Sequence, residues 1–457
     1  MRIPRLIQGG PDLAMATWPL ARAVAQAGEL GVITGAALPA VLARRLQLGD
    51  FDGHLRSVLE SFPFPGAFRR IWERYYIPGG KADDESFELV GQPNLEENPA
   101  LLELTVLANF AEVFLAKRDH AGLVGIHYHD SARLALLPSL YGAVLAGVDT
   151  VLIHASAVAA TIQALSRLSR GEAAALEIGL GSGDSLTCGF DPRALGPGTP
   201  APWRPPSLIA VCQSAADAEA VSRLEGFAGG FLMMVAGGAE WIGVEELAGL
   251  RALDRPFWIG GVAATAANFK RARAAGAAGL QVTTPFTFCA ESALDPDLKR
   301  RVLTLVRQDP ANLFTQLCSL PGGRTFRVLR LDDTAADPEL MAERARVCDV
   351  GWFREAYRRP DGSVGYRCPG EPMHHYVLKG GTAERAARQP CICNGLLAGL
   401  GLAQVQAGHE LERALIPAGE DVRDLALFLN PSGEEFTAAE VIARITGGPP
   451  GAETRPT

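Results

Sequence analysis

The chain of 457 residues has little lysine: five residues, at positions 81, 117, 270, 299 and 379, among 43 basic side chains that face 51 acidic ones. A net charge of -8 and a pI near 5.6 leave no basic excess of the kind that grips a phosphodiester backbone, so nucleic acid is not an expected partner. Cysteine is also sparse. Eight thiols in so long a chain exclude a disulfide framework and read as thiols, ligands or nucleophiles of a reducing compartment. Long hydrophobic runs are missing too: the longest nearly apolar stretch, Leu134 to Val148, is interrupted by Pro138, Ser139 and Tyr141 and is too short to cross a hydrocarbon core of about 30 Å. Met1-Arg2-Ile3-Pro4-Arg5 leads into a strand-like segment without the apolar core of a secretory signal. The expectation is a cytoplasmic protein with no membrane partner.

What is present is a globular composition, 48% apolar and 21% charged, with a strong rhythm. Short apolar runs alternate with Ala-rich amphipathic stretches to about residue 290, which predicts repeated β-α units around a parallel sheet. Eight strands are expected: Arg5 to Gln8, Leu30 to Thr34, Leu123 to Tyr128, Thr150 to His154, Ser207 to Gln213, Gly230 to Val235, Pro256 to Ile259 and Gly279 to Thr283. Helices between them are expected at Pro19 to Ala27, Ala132 to Ala146, Ala215 to Leu224, Val244 to Leu253 and Ala264 to Ala275. Eight such units make an α/β TIM (β/α)8 barrel over residues 1–320. Two segments break the rhythm, a helical insertion at about 36–115 after strand two and an extra hairpin at about 174–206. Residues 321–457 read as a mixed, Cys-containing C-terminal domain with a last helix near Ala438 to Ile445 and a frayed Pro- and Gly-rich tail.

In such a barrel, phosphates are commonly held by the loops after strands seven and eight. Here Gly260-Gly261 and Gln281-Val282-Thr283-Thr284 bring glycines and threonines to those loops, where backbone N–H groups can approach an anion; tight strand-to-helix turns are the plainer alternative.

Together with Ile7-Gln8-Gly9-Gly10, the run Leu20 to Ile33 and Val235-Ala236-Gly237-Gly238, this stretch resembles the nitronate monooxygenase family. That family includes the 2-nitropropane dioxygenases and has flavin-dependent enoyl reductases as relatives. The long members are the best match, since their C-terminal extension is similar to Val347-Cys348-Asp349, Gly365 to Pro369 and Cys391-Ile392-Cys393-Asn394-Gly395-Leu396-Leu397. The resemblance covers nearly the whole chain. It implies an FMN-dependent oxidoreductase whose flavin lies across the strand ends and acts on a small organic or thioester substrate. Gly260, Gly261, Thr283 and Thr284 would hold the phosphate, with Gln8, Gly9, Gly10, Gly237, Gly238 and Gln281 around the ring.

Departures from the family pattern fall at four strand ends. Gly9-Gly10-Pro11-Asp12 stands for Gly-Gly-Met-Gly, His127 for an Asn, and Thr283 for a Gly; Ala239 replaces the family's His, and alanine cannot move a proton. Two other classes therefore stay beside the oxidoreductase. One is a flavin-free pseudoenzyme that binds or scaffolds, as a homo-oligomer or with an intact paralogue. The other is a trans-acting enoyl reductase that meets its substrate on a carrier protein.

Three histidines, His127, His129 and His154, fall at the ends of neighbouring strands three and four. A zinc triad, a hydrogen-bonded rim and acid/base chemistry are all compatible with that placement, and His127 and His154 are the candidate catalytic residues. In the C-terminal region Cys348, Cys368, Cys391 and Cys393 match the count of an all-thiolate structural zinc site, with His374 and His375 as substitutes; buried small hydrophobes are the alternative. The aromatic run Phe62, Phe64, Trp72, Tyr75 and Tyr76 is read either as a lid or as a satellite core.

Overall fold

Eight segments of apolar and β-branched residues, several buried at every position, form the strands of a single parallel sheet, the burial expected where helices cover one face and a packed interior fills the other. The computed structural model describes residues 3–10, 15–59, 61–96, 98–180, 184–196, 203–235, 239–319, 325–344, 348–389, 391–406, 410–430 and 435–448. The strands are β1 (Leu6–Gln8), β2 (Gly31–Thr34), β3 (Val124–Tyr128), β4 (Thr150–His154), β5 (Ser207–Cys212), β6 (Gly230–Met234), β7 (Phe257–Gly260) and β8 (Gly279–Val282). Each lies within a residue or so of its expected position. Neighbours pair in parallel from β2 through β3 to β8 and then to β1, so the chain forms a TIM barrel.

Closure depends on the β1–β2 seam, where the ladder shrinks to one bridge, Ile7 opposite Leu30. Leu30 N–H donates to Leu6 O at 3.1 Å and Gln8 N–H to Leu30 O at 3.0 Å. Side chains supply the rest. Val32 N–H donates to Gln8 Oε1 at 2.8 Å, while Gln8 Nε2 donates to Gly9 O at 3.0 Å. At the other end of the seam the Glu29 carboxylate, 1% exposed, accepts from Arg5 N–H (2.7 Å) and Leu6 N–H (2.9 Å) and pairs with the Arg5 guanidinium.

Alternation sorts the strand residues into two buried sets. Ile7, Leu30, Val32, Leu152, Ile209, Val211, Leu232, Trp258 and Ala278 fill the interior as a core of their own, and the intervening residues join the outer core beneath the helices. Trp258 donates its indole N–H to Pro4 O at 2.9 Å and plugs the end from which the strands start.

Outside, helix α1 (Trp18–Gln26) buries Leu20, Ala21, Val24 and Ala25 and presses so closely on β2 that a Cβ on Gly31 would sit 1.9 Å from Ala21 O. The insertion after β2 is helical, as expected: α2 (Leu38–Gln47), α3 (His54–Leu59), α4 (Pro65–Tyr75) and α5 (Pro99–Lys117). The 19-residue α5 starts at an Asn98 side-chain cap and receives the Tyr128 hydroxyl from the outer face of β3 on Asn109 Oδ1 at 2.8 Å. By length and composition it could cross a membrane, but here it is mostly buried between α1 and α6 (Leu136–Leu145). Phe62 meets Phe110 edge-on at 5.1 Å, and Trp72 stacks between Phe68 and Tyr76, so the aromatic run packs as core, continuous with the barrel's outer core and not a separate satellite. After β4 come α7 (Val158–Leu168) and the antiparallel hairpin Ala174–Gly179 with Ser185–Phe190. Then α8 (Ala215–Ser222), α9 (Val244–Ala252) and α10 (Ala266–Ala274) follow β5, β6 and β7, and the short α11 (Thr284–Phe288) and α12 (Pro296–Gln308) follow β8.

The C-terminal region holds two antiparallel hairpins, short helices and a last helix at Ala438–Thr446, close to its expected place. Many of its buried residues, among them Val328, Trp352, Leu397 and Ile416, belong to the same continuous core as the barrel's outer layer. An internal ion pair ties it to the insertion: Arg44 of α2 donates to Asp349 Oδ2 (2.9 Å), Asn394 Oδ1 (2.9 Å) and Leu402 O (2.7 Å), and Gln404 donates to the same carboxylate.

The seam predicts the effect of Gln8→Leu. The substitution keeps the volume but leaves the buried Val32 N–H without an acceptor, a cost of about 1–3 kcal/mol. Thermal unfolding of the variant is expected to shift down by several degrees with the far-UV circular dichroism unchanged.

Candidate active site at the barrel mouth

The layer of inward-facing residues at the carboxyl ends of the strands follows from the same alternation. Above the apolar plug of Val32, Leu152, Leu232 and Trp258, the next inward positions are Thr34, His127, His154, Met234, Gly260 and Gln281. Gln281 lies across this floor. Its Oε1 is 2.6 Å from where a Cβ on Gly260 would sit, and its Nε2 is 2.9 Å from the corresponding point on Gly9. Gln281 is 8% exposed as a residue, and its carboxamide makes no hydrogen bond among the described residues.

The loop after β7 turns at Gly261 with φ of 79°, and a Cβ there would approach Val235 O at 3.1 Å; the glycine is required both by the left-handed backbone and by the close approach. Among the described residues the N–H groups of Gly261 and Val262 donate to nothing, and neither does that of Thr284, first residue of α11, which has no intrahelical partner. The ends of β7 and β8 thus leave backbone donors unpaired among the described residues, at the barrel position where phosphates are held.

Side chains are less available there. Thr284 is 2% exposed, and its hydroxyl donates to Asp421 Oδ1 at 2.5 Å while accepting from Gly419 N–H at 3.2 Å. Asp421 belongs to the 3-10 helix Glu420–Phe428, so the C-terminal region seals the start of α11 with a carboxylate. Burial pushes that carboxyl above the usual range, partly offset by the Thr284 hydrogen bond. Thr283 Oγ1 leans on Gly9 and Thr34 Oγ1 on Gly10, each within 2.3 Å of where a Cβ would stand, so both glycines are held by their neighbours. Gln8, fully buried, spends its carboxamide on the seam. Gly237 and Gly238 lie outside the described residues, as do Pro11 and Asp12; Ala239 is described and exposed.

His127 and His129 bring their rings to 4.5 Å. His154, on the adjacent strand end, turns to its own chain, with Nδ1 3.1 Å from Ser156 Oγ. Neither this trio nor the C-terminal cysteines form a metal site: among the described residues no group of three or more His, Cys, Asp or Glu side chains is placed to hold a metal ion. The structural zinc expected at Cys348, Cys368, Cys391 and Cys393 therefore finds no support. The four thiols do gather in one neighbourhood, where they feel one another's charge, and burial pushes Cys348 up to about 11 and Cys368 up to about 12, values that keep them protonated near neutral pH. Cys391 lies 3.8 Å from Arg344 Nη2, and Cys348 feels the charge of Arg354. Sequence reasoning gave no signal for Asp421, which reaches the mouth from 137 residues downstream of Thr284.

No protein-family model matches the chain, and no curated protein matches its sequence. Among solved structures it is similar to FabK from Thermotoga maritima, at 15% identity over 97% of this chain and 92% of that one, with a TM-score of 0.48. Nitroalkane oxidase from Streptomyces ansochromogenes matches at 16% identity over 97% and 95%, with a TM-score of 0.42. The enoyl reductase domain of MlnA from the macrolactin biosynthesis cluster of Bacillus amyloliquefaciens matches at 9% identity over 96% and 90%, with a TM-score of 0.43.

The Asp421–Thr284 contact gives a pH prediction. Because the folded-state pKa is raised, the native state disfavours the ionised form, and stability present below the unfolded carboxyl pKa, about 4, is lost as pH rises through the raised value. Asp421→Asn keeps an acceptor for Thr284 without the charge. It should melt higher than the parent at pH 8 and lose that advantage at pH 4, as read by thermal unfolding at the two pH values.

Proposed function

We propose that the chain is an FMN-dependent oxidoreductase of the nitronate monooxygenase type, with its flavin across the barrel mouth and a small organic or carrier-bound thioester substrate. The observation that carries this reading is the placing of backbone donors at Gly261, Val262 and Thr284, unpaired among the described residues, beside Gln281, a buried residue whose carboxamide has no hydrogen-bond partner among the described residues. That carboxamide has no protein partner to give up among the described residues, so a ligand at the mouth can complete it. The residues present fit a phosphate-bearing flavin through these groups: the backbone N–H groups would hold the phosphate and Gln281 the polar edge of the ring.

FMN, when bound, supplies a two-electron donor and acceptor. The chain's own part is to bind and orient it and to handle protons. His127 faces the interior at the end of β3, where an imidazole can take or return a proton at the substrate, work that Ala239 cannot do. His154, held by Ser156, would orient rather than transfer.

A second reading, a flavin-free barrel acting as a scaffold or as the subunit of an intact paralogue, is favoured by one observation. Thr284 offers a phosphate no hydroxyl, and Asp421 beside it would repel an anion when ionised.

The visible absorption of the purified chain, followed by titration of stripped protein with FMN, tests the two. A stoichiometric flavin spectrum is expected. Gly261→Val, strained at a positive φ, should weaken FMN binding by about tenfold or more. His127→Ala should keep the flavin and lose at least about a hundredfold in turnover. A chain that takes up no FMN sinks the oxidoreductase reading, and activity that survives His127→Ala removes that residue's role.

A further inference from the structure

The opposite end of the barrel carries a cavity of about 700 Å³, within the size range of small-molecule sites. It is formed where the chain enters β1, β2, β7 and β8. Its charged walls are Arg5, Glu29, Arg251, Asp254, Arg255 and Arg273, which leaves two net positive charges in one concavity of a chain whose total charge is -8.

These arginines are not alike. Arg5 is spent: it is neutralised by Glu29 at the seam. Arg251, Arg255 and Arg273 have no carboxylate partner among the described residues. Yet each is held in place. Arg251 Nε donates to Ala275 O at 2.7 Å, where the stem crosses Gly276, and both Nη groups are left over. Arg273 Nη1 donates to Ala277 O at 3.2 Å and Ala278 O at 3.0 Å, leaving Nη2. Arg255 lies over the Phe227 ring at 5.4 Å. Backbone carbonyls and a ring fix the positions of these cations without cancelling their charge.

Unpaired guanidinium groups in fixed positions match the fork of a phosphate or diphosphate, which takes parallel N–H bonds on its oxygens. Pro256, Phe257 and Ala278 give the same cavity an apolar wall. We propose that this end of the barrel is a binding site for a small organic phosphate ester with at least two negative charges, separate from the mouth and independent of the flavin reading.

The test is isothermal titration of the full chain with inorganic pyrophosphate and with ADP at low ionic strength. Both are expected to bind, ADP at least as tightly because the apolar wall adds contact, and binding should weaken as salt is raised. The double variant Arg251→Gln/Arg273→Gln, at exposed positions, should fold as the parent does and lose affinity for both probes by about tenfold or more. Gly261→Val, at the mouth, should leave this binding unchanged. The proposal is overturned if neither probe binds, if pyrophosphate binds but ADP is excluded, or if binding survives the double arginine change. It is equally overturned if Gly261→Val removes the binding, since the anion then sits at the mouth.

Discussion

The whole fold hangs on closing one weak seam. Seven of the eight strand junctions are regular parallel ladders, but β1 and β2 share a single bridge, and a sheet that failed to close there would expose the edges of both strands and open the apolar plug to water. The chain compensates with side chains. Gln8 takes over a hydrogen bond that the backbone does not make, and Glu29 gathers the N–H groups of Arg5 and Leu6 at the other end. The seam also joins both candidate sites. Gly9, next to Gln8, carries the mouth, and Arg5, clamped by Glu29, forms one wall of the cavity at the opposite end.

A second constraint comes from the C-terminal region. The buried Arg44–Asp349 pair has to be complete, because removing either partner would leave the other charged and unsolvated; burial already pulls the Arg44 guanidinium below its usual range. Asn394 and Gln404 satisfy the remaining oxygens, so the network gives register to a region of short helices that has little regular structure of its own. By fixing where that region lies, the network helps fix where Asp421 meets Thr284.

Period-two and 3.6-residue patterns made all eight strands and the helices α1, α6, α8, α9 and α10 legible, because a parallel strand buried on both faces and a one-sided helix each leave a local signature. The glycine turn at Gly261 was legible for the same reason: its left-handed backbone leaves little choice of residue. What sequence could not reveal depends on distance along the chain. Gln8 reads from sequence as a flavin contact, and only the position of Val32 N–H shows that its carboxamide serves the seam. Thr284 reads as a phosphate ligand until Asp421 takes its hydroxyl. The four cysteines do gather, which their count alone could not decide, but gathering is not coordination, and spacing carries no information on whether thiol lobes point at a common centre.

The two ends of the barrel recruit anions by different physics. At the mouth the donors are uncharged peptide N–H groups, and a nearby carboxylate opposes them, so an anion there must be held by many aligned dipoles and by contacts along an extended ring. At the other end the donors carry full charge and sit beside solvent, and among the described residues lining the cavity Asp254 is the carboxylate without an ion pair. Such a site gains its affinity from Coulomb attraction and loses it to salt, whereas the mouth gains from burial and shape. Ionic strength therefore separates the two: an anion held by Arg251 and Arg273 weakens steeply as salt rises, and one held by Gly261, Val262 and Thr284 does so far less.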